Sequence, residues 1–165
     1  MNKFANCVEV INDKNFSIKD GEDQEPAFID YRNGQFEVIN NTQEEIKFLK
    51  VDDCLEFTPN TKKCDCIIFN NNDFCFIELK TLKSTKATTK AKRRKKAEDQ
   101  LRDTINKFSN EDIIGTKQLE AYVALTCITE TKLTKIPNIS NRETIFEFET
   151  TLNTLLYYKC KKEFN

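Results

Sequence analysis

Cys64 to Lys80 reads CDCIIFNNNDFCFIELK. Two runs rich in Ile, Phe and Cys flank a polar turn at Asn70 to Asp73, which predicts a β-hairpin. Side chains alternate faces along a strand. Phe74, Phe76, Glu78 and Lys80 therefore share one face, and Cys75, Ile77 and Leu79 the other. In the preceding strand Asp65, Ile67 and Phe69 share a face, with Cys64, Cys66 and Ile68 opposite. Closing the turn pairs Phe69 with Phe74, Ile67 with Phe76, Ile68 with Cys75, Cys66 with Ile77 and Cys64 with Leu79. Asp65 is then left opposite Glu78, with Lys80 one step further on the same face. Opposed Cβ atoms in a strand pair lie about 4.5–5.5 Å apart. Two carboxylates at that spacing repel, and burial sharpens the repulsion. A divalent cation, a shared proton or the Lys80 ammonium must compensate. Mg²⁺ suits such an oxygen site, because it keeps open positions for water and phosphate. The plain alternative is surface charge at the frayed ends of two strands.

The residues that follow the hairpin change in character. Residues 83–96 carry Lys83, Lys86, Lys90, Lys92, Arg93, Arg94, Lys95 and Lys96 and no acid. The chain as a whole is −1, so the remainder stands at −9, with 18 basic residues against 27 acidic. Such a run is often only a solvated helix start. Directly after paired carboxylates it would also offset repulsion of a polyanion. It holds no aromatic residue, which favours contact with a phosphate backbone over base reading. Further on, Ala97, Leu101, Ile105 and Phe108 recur at helical spacing and predict a helix from about Lys86.

The flanking regions predict a mixed sheet. Cys7 to Ile11, Ala27 to Tyr31 and Gln35 to Ile39 are strand-like, and Asn33-Gly34 is a strong hairpin signal between the last two. Asp20 to Pro26 reads as a polar loop. Ile46, Phe48 and Val51 fit either a strand or a short helix. Leu119 to Ile128 reads as a buried strand that could pair in parallel with the hairpin after a helical crossover. Asn141 to Asn153 predicts a helix, and Thr154 to Cys160 a last strand. The expectation is a single α/β domain with a mixed β-sheet flanked by helices.

Composition narrows the chemistry. The 165 residues include no His, which removes Ser-His and Cys-His nucleophile pairs and leaves carboxylates, Lys, Tyr or a metal-bound water for acid–base work. The 7 Cys are odd in number and lack a CxxC. This argues against a disulfide framework and against zinc at Cys54, Cys64 and Cys66. The start lacks an apolar signal segment and no run is long enough to span a bilayer, so a cytoplasmic protein without a membrane partner is expected.

Asp65, the Glu78-Leu79-Lys80 triplet after a hairpin turn, and Gln100 on the following helix resemble the PD-(D/E)xK, or restriction-endonuclease-like, nuclease superfamily. The resemblance covers roughly residues 45–130. Residues 1–44 would form an N-terminal β-rich extension, and residues 131–165 a C-terminal helix and strand. It implies a Mg²⁺-dependent (or Mn²⁺-dependent) endonuclease, with DNA preferred to RNA as partner. Asp65, Glu78 and the Leu79 carbonyl would bind metal, Lys80 would assist the water or phosphate, and Gln100 would orient them. Glu45, Asp52 and Asp53 are candidates for a further acid, with Asp53 preferred. Cys64 stands where the family pattern has proline. A catalytically inactive nucleic-acid-binding protein on the same fold, as a homodimer or the subunit of a larger complex, is the alternative. A third reading is a protein-binding module whose acidic remainder meets a basic partner.

Overall fold

The computed structural model describes residues 4–21, 25–54, 60–129, 132–136 and 140–165. The hairpin forms at its centre, as β6 (Cys66–Phe69) and β7 (Asp73–Leu82). The Asn70 side chain accepts from the Asn72 and Asp73 N–H groups at 2.9 and 2.8 Å and thereby folds the turn. The register is the expected one from Phe69 opposite Phe74 to Cys66 opposite Ile77. Antiparallel β5 (Ile46–Lys50) lies on the outer side of β6, and β1 (Val8–Ile11) lies outside β5. The Ile46–Val51 ambiguity resolves into both options: β5 is followed at once by the one-turn helix α1 (Val51–Cys54).

After β7 the chain crosses through α2 (Ala87–Phe108) and returns as β8 (Gln118–Thr129). Gly115, at φ +55°, makes the left-handed turn between them. β8 pairs with β7 in parallel from Asp73–Gln118 to Leu82–Cys127. The two form the apolar centre of the sheet. β9 (Lys132–Lys135) hangs antiparallel from the far end of β8, and β10 (Leu155–Tyr157) pairs with β8 in parallel. Between them lies α3 (Arg142–Leu152), capped by Asn141, whose side chain accepts from the Thr144 N–H, and stopped by left-handed Asn153. Among the described residues the main sheet therefore runs β1-β5-β6-β7-β8-β10, with β9 beside β8.

The two faces of this sheet are covered differently. Phe74, Phe76, Ile67 and Phe69 pack with Ala97, Leu101, Ile105 and Phe108 of α2 and with Phe148 of α3. The apolar stripe expected of α2 is buried at all four positions. The opposite face, with Cys66, Ile68, Cys75, Ile77 and Leu79, packs against a second sheet rather than against helices. That sheet has the order β11-β4-β2-β3, from β2 (Asn15–Lys19), β3 (Phe28–Asp30), β4 (Phe36–Asn40) and β11 (Lys161–Phe164). Among the described residues the helices thus flank one face of the expected mixed sheet, and the second sheet covers the other. Segments 1–44 and 131–165 each contribute strands to both sheets.

Two further local expectations are corrected. Asn33-Gly34 does not join a two-stranded hairpin, because β2 lies between β3 and β4 and pairs with both. Phe16 and Ile18 of β2 are buried in the core between the sheets, and that burial outweighs the turn preference. Gly34 is required there by close approach, since a Cβ would stand 2.2 Å from Ser17 Oγ. The last strand expected over Thr154 to Cys160 ends at Tyr157. The chain then adds β11 to the small sheet, parallel to β4.

The cysteines follow the expected pattern in five cases: Cys64, Cys66, Cys75, Cys127 and Cys160 are free and buried. Cys7 departs from it and is disulfide-bonded. No helix of the described residues is long and apolar enough to cross a membrane.

Candidate active site

The ladder of β6 with β7 stops at Cys66–Ile77, one pair short of Asp65 and Glu78. Beyond that point the chain leaves strand geometry. Cys64 N–H donates to Thr104 Oγ1 of α2 at 2.8 Å. This draws Cys64 into the helix-side core, whereas Cys66 stays in the core between the sheets. The two do not share a face, contrary to expectation, because Cys64 precedes the strand. Asp65 fills the gap at the strand edge, where its Oδ2 accepts from the Leu79 N–H at 2.6 Å. In a strand the N–H and C=O of one residue point to the same side. The Leu79 carbonyl therefore also faces the edge that β6 vacates.

Glu78 and Lys80 sit on the helix-side face of β7, in line with Phe74 and Phe76. Glu78 is fully buried. The Lys80 ammonium donates to its Oε1 in a short ion pair. Glu78 Oε2 is buried and has no hydrogen-bond partner. A buried carboxylate oxygen left in this way costs free energy unless a proton or cation meets it.

The electrostatics agree with that geometry. Burial, and then the Asp65 charge, hold the Glu78 carboxyl well above its ordinary range, and Lys80 opposes them. Burial pushes Asp65 up to about 7 against the pull of Lys80. Burial alone would lower Lys80, but Glu78 and Asp65 outweigh it and raise it. With both carboxyls ionised, two carboxylates and one ammonium would leave a single uncompensated negative charge in a buried setting, which is why both hold their protons to higher pH.

Sequence reasoning missed one acid near this centre. Asp20 follows directly on β2. Its backbone N–H donates to Gln35 Oε1 at 2.6 Å, and Gln35 Nε2 donates to Thr81 Oγ1 at 2.6 Å, beside Lys80 in the chain. Burial raises the Asp20 carboxyl, with Lys80 lowering and Asp52 raising it. The Phe16–Ile18 alternation was the available signal, since it places Asp20 at a strand end rather than within a loop. Of the expected candidates, Glu45 is exposed on the surface. Asp52 pairs with Lys63 at 3.0 Å and acts on Asp65 only through its charge. Asp53 lies in α1, and its side chain falls outside the described residues.

Gln100 reaches the same region. Its Nε2 donates to the Lys63 carbonyl at 2.8 Å, two residues before Asp65. Its Oε1 is buried without a partner. The basic residues divide between the β7–α2 linker, with Lys83 and the N-cap Lys86, and α2, with the rest. Arg94 lies 3.3 Å from Glu98 Oε1, an ion pair whose angle falls short of a hydrogen bond. Lys95 lies 3.8 Å from Asp99. Among the described residues Lys83, Lys86, Lys90, Lys92, Arg93 and Lys96 form no ion pair with an acid.

The donors at the strand edge are all hard oxygens: the Asp65 and Glu78 carboxylates and the Leu79 carbonyl. They fit Mg²⁺ in chemistry, and the orphaned Glu78 Oε2 fits an absent positive charge. Among the described residues no three Asp, Glu, Cys or His side chains gather closely enough to hold an ion by themselves. Backbone oxygen and water would have to complete the coordination. No protein-family model, curated protein or solved structure matches the chain.

Proposed function

We propose that the protein is a Mg²⁺-dependent nuclease that hydrolyses phosphodiester bonds in DNA in preference to RNA, on a restriction-endonuclease-like core. One observation carries this reading. The buried Glu78 carboxylate has an unpartnered oxygen, and Asp65 and Lys80 stand beside it where β6 ends. The antiparallel β5-β6-β7 run, the α2 crossover and parallel β8 support the core assignment. A divalent cation held by Asp65, Glu78 and the Leu79 carbonyl would supply Lewis acidity toward a phosphoryl group. The chain's own part is positioning and charge. Lys80 offers an ammonium to the phosphate or the attacking water, held in place by Glu78. The Leu79 N–H orients Asp65. Gln100 offers a buried acceptor close to the chain that leads into Asp65.

The test is incubation with supercoiled and linear DNA and with RNA, in Mg²⁺, Mn²⁺ or EDTA, for the native protein and for Asp65→Ala and Lys80→Ala. Metal-dependent cutting lost in both variants is the expected result. Cutting that survives both substitutions or persists in EDTA would rule the assignment out.

A second reading is a non-cutting nucleic-acid-binding or accessory subunit on the same core. The Lys80–Glu78 ion pair favours it, because the ammonium partly takes the place of a cation. It predicts salt-sensitive binding that is unchanged in Asp65→Ala/Glu78→Ala, with no metal-dependent cutting.

A further inference from the structure

The eight basic residues of 83–96 are not equivalent. At 3.6 residues per turn, positions i, i+4 and i+7 share a helix face. Lys96 and Arg93 stand four and seven residues before Gln100, on the flank of α2 that meets Lys63 and Asp65. Arg94 and Lys95 point away from that flank, toward Glu98 and Asp99. Arg102, one turn beyond Glu98 on the same side, binds Glu147 of α3 at 2.9 Å. The charges on the α3 side are therefore partnered by acids. Arg93 and Lys96, on the Gln100 side, form no ion pair with an acid among the described residues, and both are exposed.

The level of these residues relative to the carboxylates follows from contacts of the helix. Gln100 and Thr104 bond to Lys63 and Cys64, and Phe108 packs on Phe74 and Phe76. Gln100 therefore stands level with Asp65. Toward the N-terminus, Lys96 lies about 6 Å further along the axis, Arg93 about 10 Å and Lys86 about 21 Å. The buried stripe ends at Ala97. The first turns of α2 thus overhang the end of β7 beyond the carboxylates.

Resting on the nuclease reading, we infer that Arg93 and Lys96, with Lys86 beyond them, form a file that holds phosphates of a polynucleotide and leads its backbone to Asp65 and Glu78, whereas Arg94 and Lys95 are taken up by acids of α2 itself. The ligand is a polymer rather than a mononucleotide, because the file continues about 21 Å past the carboxylates. The contacts are to phosphate and are indifferent to base sequence.

A matched pair of variants tests this, because both lose two positive charges: Arg93→Gln/Lys96→Gln and Arg94→Gln/Lys95→Gln. Binding of a fluorescein-labelled 20-bp duplex by the full chain is followed by anisotropy in EDTA, from 50 to 300 mM NaCl. The first variant is expected to bind about tenfold more weakly, with the slope of log K against log salt reduced by about two. The second is expected to bind within about twofold of the native protein with the slope unchanged. If thermal melting shows the second variant unfolded, Lys95→Gln against Lys96→Gln replaces the pair. Equal losses in the two variants, or an unchanged slope in the first, overturn the file. Cleavage is measured separately in Mg²⁺. Native slope behaviour as expected without any cutting would reject the nuclease reading and leave the file standing.

Discussion

Leu79 donates its backbone N–H to Asp65 Oδ2 at 2.6 Å, across the gap where β6 stops short of β7. The side chain thus occupies the place of a missing ladder carbonyl. This fixes the carboxylate against the strand that carries Glu78 and Lys80. It also keeps a charged group in a buried setting, from which consequences for stability follow.

In the metal-free protein Asp65 has its pKa raised from 3.8 to about 7. The native state therefore holds a proton that the unfolded chain has already released between those values. Folding is favoured as pH falls through about 7, and the penalty is complete above it. In EDTA the thermal midpoint is expected to rise between pH 8 and pH 6, by at most about 1.4 kcal/mol of stability per pH unit for one proton. Asp65→Asn should reduce this dependence, leaving the part that Glu78 contributes in the same direction, and stabilise the protein at pH 8. Thermal melts of both proteins across that range check it. A native midpoint that falls on acidification contradicts the burial argument.

Lys80→Met removes the counter-charge of Glu78 and Asp65. Breaking one partner of a buried pair costs about 3–5 kcal/mol. The loss should appear as a lower urea midpoint at pH 8. Adding Glu78→Gln should recover a large part of it, because the orphaned charge goes with it. A double variant no more stable than Lys80→Met would show that the two side chains do not act as a pair.

Thr104→Val tests the seat of Asp65. The hydroxyl accepts from the Cys64 N–H and itself donates to the Gln100 carbonyl at 2.8 Å. Valine keeps the shape but leaves a buried N–H unpaired, at a cost of about 1–3 kcal/mol. Denaturant unfolding measures the loss. Amide exchange at Cys64, slow in the native protein, should become fast in the variant.

Lys162 ties the C-terminal strand β11 to the main sheet. Its ammonium lies 2.9 Å from Asp73 and 2.8 Å from Glu120, and Glu120 also accepts from Tyr122 at 2.6 Å. Lys162→Met leaves two carboxylates near one another without a cation and should cost about 3 kcal/mol or more. Hydrogen exchange should report early opening of Lys161–Phe164. Uniform protection across both sheets would mean that apolar burial alone retains the strand.

Local sequence was decisive wherever one face or one turn dominates. The Asn70–Asp73 turn and the alternation on either side determined the register of β6 and β7, because a one-residue slip would bury the wrong face. The stripe Ala97, Leu101, Ile105, Phe108 determined α2 in the same way. The parallel pairing of Leu119–Ile128 followed from its length, its apolar character and the helix before it. Long-range competition decided the rest. The Asn33-Gly34 signal was overridden by β2, whose burial against the main sheet no local pattern reports. Among the described residues helices cover one face, and strands drawn from segments far apart in the chain assemble into a second sheet over the other. The hairpin alone placed Asp65 opposite Glu78. Only the packed structure stopped the ladder at Cys66, turned Asp65 onto the Leu79 N–H, brought Asp20 to the edge of the site and paired Arg94 and Lys95, but not Arg93 and Lys96, with acids among the described residues. Those outcomes depend on residues distant in sequence meeting in a water-poor interior, where an unpaired charge or N–H is costly enough to decide the geometry.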